Sequence, residues 1–387
     1  MKPIQLVHFA VGAMIITSCL VADGLPMDLM GKVVDRANLT GMNLSHLDLG
    51  GAHLNQSNLQ GTNLNNSNLN GTYLRSAWLM ESHIQDAKLI RADLTGAVIN
   101  GADLNRSNLS ESVLVRAQMS KVKLVGARLI KSDLTESDLS DSDLTGADMT
   151  GARLFRTDLS GSNLRGIYLV NANMIGAHLS WTDMSGGYLS KGQFSRAELY
   201  GTNLSNADLT NSDFTRAYLM RTDLTGAKLN SANLAYTDMT ETKLMGATLT
   251  SAKLPYADLT RANLTGADLT GADMTVVRLV GAILRNVKLD RVNLRELDLR
   301  SIDLRGASLR GAALIGDFLT NANMAGSDLR DATLDQLEMT GVDLTGANLE
   351  NIKYDQFTLY SLSKAKLNGT KMSDDLKAEL KALSGGK

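Results

Sequence analysis

Cysteine occurs once in the 387 residues, at Cys19. An internal disulfide and a zinc site built of cysteines are therefore both excluded. Proline is nearly missing, with 3 residues, and aromatics make up only 4%. A large globular core usually needs more aromatic bulk than that. The formal charge of −2 gives no overall attraction to nucleic acid and no polyanionic surface. The five histidines, His8, His46, His53, His83 and His178, show no ligand spacing. There is no Ser-His-Asp constellation, no glycine-rich phosphate loop and no metal-ligand motif. The chain reads as a non-enzyme without cofactor or metal. Yet 43% of its residues are hydrophobic, too many for disorder. Small, uniform apolar residues predict a thin, repetitive core.

The one long uncharged stretch is at the start, between Lys2 and Asp23. Gln5 and His8 interrupt it, so it makes a poor membrane-spanning helix. A cation followed by an apolar run has the form of a signal peptide. The run ends Ile16-Thr17-Ser18-Cys19, which resembles the bacterial lipobox. That resemblance implies cleavage before Cys19 and a lipid on its thiol, with 1–18 as signal peptide and 19–25 as lipidated linker. Leu20, where an aspartate would favour the inner membrane, leans toward the outer one. Cleavage after Ala22, giving a soluble periplasmic or secreted protein, and an uncleaved N-terminus remain open.

From Pro26 the chain is one repeat: PMDLM, GKVVD, RANLT, GMNLS and onward to GANLE. A large apolar residue stands at every position number ending in 4 or 9, from Leu29 to Leu359. Two residues before it sits a small residue, and between them a polar one, often Asp or Asn. On an α-helix a step of five turns about 500°, so successive leucines would smear around the axis. On a straight strand an odd step alternates faces. A constant inward leucine needs a change of direction once per repeat. The small residue and the leucine then face in, and the last two residues form a corner. Glycine is frequent at the corner, but Arg, Glu and Lys also occur, so a positive φ is not expected to be obligatory there.

The pattern resembles the pentapeptide-repeat family, with its A(D/N)LXX consensus. The resemblance covers residues 26–360. It implies an all-β right-handed quadrilateral β-helix of about 17 coils and about 80 Å, with residues twenty apart stacked on one wall. The tail, 361–387, is expected to carry a short amphipathic helix over 373–384 that plugs the last coil. N-capped by Ser373, it would set Leu376, Leu380 and Leu383 on one face. The same helix is a candidate homodimer contact.

Three surface groups stand out. Asp133, Asp138, Asp143 and Asp148, with Glu136 and Asp141, form an acidic belt that is either a cation or partner site or simply solvated. Arg295, Arg300, Arg305 and Arg310 form a basic belt that either meets phosphate or pairs locally. Tyr168, Trp181 and Tyr188 form an exposed aromatic group, as do Tyr73 and Trp78; either is a contact surface or an ordinary stack. At Asp317-Phe318 the inward and outward characters are reversed. A bulge that swaps the two is expected, since a carboxylate in the core is costly.

The function expected from these features is a structural or protein-interaction rod of the bacterial cell envelope, on the periplasmic side of a membrane, bound to an unknown protein partner and anchored through lipid. The alternatives are a DNA-mimicking binder of gyrase or topoisomerase, as some relatives are, and an exported effector. Nucleic acid is not an expected partner.

Overall fold

The computed structural model describes residues 29–384. The segment expected to be a signal peptide, Cys19 and the expected linker to 25 lie outside the described residues.

The chain winds so that each outward residue pairs in parallel with the residue twenty further on. The series begins Val33↔His53, Asn38↔Asn58, Asn43↔Asn63, Asp48↔Asn68 and continues to Asp328↔Asn348. Four such rows make four walls. Most pairings are single-residue bridges, because a corner intervenes every five residues. On one wall three successive rungs lengthen into strands: β1 (Ala313–Ile315), β2 (Thr333–Asp335) and β3 (Lys353–Tyr354), parallel and adjacent in that order. Inward leucines from Leu39 to Leu349 are buried, and the sites two residues before them hold mostly Ala, Ser or Thr with almost no exposure. The core is therefore a solid column of apolar side chains.

The corners explain why the repeat is five residues long. At most of them, the N–H of the small residue donates to the carbonyl of the preceding inward residue, as Met42 does to Leu39 at 3.1 Å. This closes a type II turn, which requires φ > 0 at its third residue. Every corner residue from Gly31 to Asn351 complies, with φ between +52° and +72°, and 39 of them are not glycine. The expectation that positive φ is not obligatory was wrong. The left-handed conformation costs a non-glycine residue roughly 1 kcal/mol. The corner N–H accounts for why it is tolerated, since it also bonds the coil above, as Arg36 does to Asn55 O at 2.8 Å.

The consensus Asp/Asn holds the same corner from outside. Asp133 Oδ1 accepts from Thr135 N–H at 3.1 Å and from its hydroxyl at 2.6 Å, and Asp143 treats Thr145 alike. The D-L-T triplet is thus a local side-chain clamp on the turn.

One seam departs from this regularity. Among the described residues, the N–H groups of Met274, Val276, Leu279 and Gly281 find no carbonyl on the following coil, although Leu254, Tyr256, Leu259 and Arg261 do one coil earlier. The Arg278–Asp298 bridge is absent, while Asp258–Arg278 and Asp298–Phe318 are present. The small sites here hold Val277, Val287, Val292, Leu297 and Ile302. Larger side chains thicken the core and push the walls apart. By native-state hydrogen exchange, the amides of Val276, Leu279 and Gly281 are expected to exchange fastest of the mid-rod ladder amides. Protection equal to that of Tyr256 and Leu259 would contradict this.

The C-terminal end is more elaborate than a plugged coil. Wall register holds to β3. Helix α1 (Gln356–Leu362) follows, N-capped by Asp355, which accepts from Thr358 N–H at 2.8 Å. Residues to 360 therefore do not all belong to the wall. Leu359 keeps the five-residue phase but lies on α1, buried against the last coil. Thr358 and Ser361 hydroxyl oxygens accept from Leu337 and Met339 N–H at 3.1 and 2.6 Å. These two bonds satisfy backbone that would otherwise be an open edge. The chain then rejoins two walls, pairing Asp343↔Lys366 and Asn348↔Lys371. Helix α2 (Asp374–Ser384) closes the end, with Ser373 Oγ accepting from Leu376 N–H at 3.3 Å. Leu376 and Leu380 are buried, whereas Leu383 is exposed.

Candidate interaction surfaces

A solid column leaves the outer walls, the corners and the end as the places where chemistry can occur. Among the described residues no cluster of His, Cys, Asp and Glu is arranged to hold a metal ion. No described helix is long and apolar enough to cross a membrane.

The acidic belt is engaged internally. Asp133, Asp138, Asp143 and Asp148 each accept the backbone N–H two residues on, at 2.9–3.1 Å. Glu136 pairs with Arg116 at 2.8 Å. These carboxylates shape corners, which accounts for their regular recurrence.

The basic belt divides in two. Arg300 grips Asp298 and Arg305 grips Asp303 through paired nitrogens, and Arg285 adds a third contact to Asp303. Arg300 holds the Asp298 carboxyl below its ordinary range, and Arg305 with Arg285 lowers Asp303 further. Among the described residues, the Arg295 and Arg310 side chains have no such partner. The backbone N–H of Arg310 donates to Asp290 at 3.1 Å. No four-arginine site forms.

The aromatic group also divides. Tyr168 and Tyr188 stack on one wall, with ring centroids 4.7 Å apart and planes 9° from parallel. Trp181 lies at a corner away from that wall, edge-on to Tyr200 at 5.1 Å. The thirteen residues from Tyr168 to Trp181 carry the chain well over half a coil, so the two do not share a surface. The Tyr73 ring packs tilted against His53, 4.4 Å between centroids, and Trp78 stands exposed one wall away.

Sequence reasoning missed the most concentrated surface. The corner column at 156, 176, 196, 216, 236, 256 and 276 holds Arg196, Arg216, Tyr236, Tyr256 and Val276 in succession, all exposed. Tyr236 and Tyr256 stack at 4.9 Å and 5°. The Arg216 guanidinium lies 5.6 Å from the Tyr236 ring centre. A shallow open depression of about 320 Å³ lies between Ile175, Ser195, Arg196, Thr215, Arg216 and Tyr236. Exposed Tyr218 stands on the adjoining wall. Writing the sequence in rows of twenty would have revealed this column.

Asp317 is a different kind of feature. No bulge swaps it with Phe318: the register holds, the carboxyl is buried, and Phe318 is 55% exposed. Oδ1 accepts from Leu297 N–H at 2.7 Å, while Oδ2 has no partner. Burial pushes the Asp317 acid up to about 7, and Glu296 nearby adds to the shift. The structure tolerates the residue because the inward site can serve this role: Ser57, Ser142 and Ser162 likewise accept the small-residue N–H one coil back, from Ala37, Val122 and Ser142. A protonated carboxyl imitates that hydroxyl.

Comparison with known proteins accords with this geometry. Among curated proteins none matches the chain. HetL, a pentapeptide repeat protein involved in heterocyst differentiation regulation from Nostoc sp. strain PCC 7120, is 36% identical. That match covers 52% of this chain and 88% of HetL, with a TM-score of 0.37. QnrB1, a plasmid-mediated fluoroquinolone resistance protein, is 16% identical over 62% of this chain and 97% of its own, with a TM-score of 0.19. A pentapeptide repeat protein from the Arabidopsis thaliana thylakoid lumen is 25% identical over 28% and 63%, with a TM-score of 0.14. The model of the pentapeptide repeats matches segments spanning 35–71, 77–114 and, with overlaps, on to 277–311, then 319–351. Members of that family form right-handed quadrilateral β-helices, and the chain belongs to the pentapeptide-repeat family.

Proposed function

We propose that this protein is a non-enzymatic protein-binding rod of the bacterial cell envelope, tethered through a lipid on Cys19. The observation that carries the binding role is the solid interior. The inward positions from Leu39 to Leu349 are filled and buried, so recognition falls to the outer walls and corners. Those present different side chains along each wall at a spacing of about 4.8 Å. The tether rests on Ile16-Thr17-Ser18-Cys19 and on the placement of the single cysteine there.

Mimicry of DNA would need unbroken lines of uncompensated carboxylate. The wall bearing Asp103, Lys123, Asp143, Asn163, Asp183 and Asn203 is mixed, and its carboxylates accept corner N–H groups. This weighs against a gyrase or topoisomerase role.

Intact mass of the mature N-terminal peptide from the native cell, with membrane fractionation, tests the proposal. The expected result is a start at Cys19 with added acyl mass, and a Cys19→Ser protein that leaves the membrane fraction. An intact Met1 on a cytosolic protein would overturn the envelope reading.

A further inference from the structure

At left-handed corners every side chain other than glycine, asparagine or aspartate is strained, and a β-branched one most of all. Elsewhere on the rod, several charged corner residues gain an ion pair in return. Arg91 pairs with Glu111 at 2.7 Å, Arg116 with Glu136 at 2.8 Å, and Arg221 and Arg261 both pair with Glu241. Among the described residues, the column Arg196, Arg216, Tyr236, Tyr256 and Val276 gains none over five coils in succession. Its five residues are consecutive, left-handed and exposed, with φ from +56° to +61°. The two arginines are neighbours of like charge, an unfavourable arrangement between adjacent strands. Among the described residues neither forms an ion pair. Val276 combines β-branching with a φ of +56° and 54% exposure, so it gains little burial. The Tyr236–Tyr256 stack and the Arg216–Tyr236 contact offset part of the strain, but among the described residues no such contact accompanies Arg196 or Val276.

We infer that this corner is the contact ridge for a partner protein that presents carboxylates to Arg196 and Arg216 and apolar side chains to Tyr236, Tyr256 and Val276. Charge complementarity selects the acidic end, since two guanidiniums without a carboxylate partner, one coil apart, flank a shallow recess. The stacked tyrosines offer apolar edges and hydroxyls, and Val276 ends the ridge with a methyl surface. Four coil steps make it about 19 Å long, the reach of about six extended residues. The inference rests on the reading of the chain as a protein-binding rod. It does not depend on the lipid, so the N-terminal mass and the ridge test fail independently.

The test uses the full chain and a fluorescein-labelled twelve-residue peptide, glutamate-rich in one half and leucine- and phenylalanine-rich in the other. Saturable binding is expected, weakening as salt rises. It should fall at least tenfold in Arg196→Glu/Arg216→Glu and in Tyr236→Ala/Tyr256→Ala, and the peptide with lysine replacing glutamate should not bind. No binding, or equal affinity in the variants, overturns the inference. So does Arg196- and Arg216-dependent binding of phosphatidylglycerol vesicles without peptide binding, which would make the ridge a membrane contact. Val276→Gly supplies a readout without peptide: its melting temperature is expected to rise. A fall would show that Val276 serves the rod's own stability and would overturn the argument from strain.

Discussion

Asp317→Ser is expected to stabilise the rod by about 4 kcal/mol at pH 8.5 and to change little at pH 4. In the folded chain the Asp317 acid is raised from its ordinary 3.8 to about 7 by burial. Below 3.8 the group is protonated in both states and imposes no penalty. Between 3.8 and 7 the unfolded chain releases the proton while the folded chain keeps it, so stability falls by about 1.4 kcal/mol per pH unit. Above 7 the loss is complete. Serine removes the titration and supplies a neutral acceptor to Leu297 N–H, as Ser162 does for Ser142. Chemical denaturation of both proteins from pH 4 to 9 measures the difference. Parallel curves would mean that Asp317 does not titrate in this window.

The second large effect is expected at Gly192. Phe194 and Phe214 replace inward leucines and stack inside the column at 4.6 Å and 8°. The Phe194 ring leans over the neighbouring small site, where a Cβ on Gly192 would lie 2.6 Å from Cε2. Phe214 blocks the ring's retreat on one side, so the clash is not relieved by simple rotation. Gly192→Ala should cost about 2 kcal/mol through overpacking. Phe194→Leu should cost about 1 kcal/mol by removing the stack. The double variant restores the common Ala-x-Leu repeat and should cost clearly less than the sum of the two. Strict additivity in melting experiments would show that Gly192 is not making room for Phe194.

Much of the architecture was legible because one inward residue in every five constrains the chain so tightly. A five-residue apolar phase fits neither helix nor straight strand, and its persistence from Leu29 made the column readable. The same phase concealed α1, since Leu359 satisfies the repeat while facing the core from a helix. The corner conformation was misread for a physical reason. Arg36, Trp181 and Val276 are unusual left-handed residues, yet the turn type demands φ > 0, and at Arg36 and Trp181 a ladder hydrogen bond accompanies the strain. Asp317 resisted reading because a protonated acid imitates a serine hydroxyl, a possibility absent from any rule about ionised carboxylates.

The candidate surface was less legible than the fold. Tyr168, Trp181 and Tyr188 are close in sequence, but thirteen residues separate walls and twenty unite them. Arg196, Arg216, Tyr236 and Tyr256 look scattered until the chain is arranged coil by coil. The arginines at 300 and 305 gave a belt in sequence and two local ion pairs in space. Their carboxylate partners lie only two positions earlier, on the same coil.

The most direct test of the central claim, that the corner ridge rather than another wall or the end binds the partner, is photocrosslinking in the native cell. Benzoylphenylalanine would replace Tyr236, Tyr256, Tyr168 and, at the end cap, Tyr360, one at a time. Adducts to one protein species from positions 236 and 256, absent from 168 and 360, are the predicted result. Adducts from 360 to a second copy of this chain, with none from the ridge, would contradict it and make the C-terminal end the site of assembly.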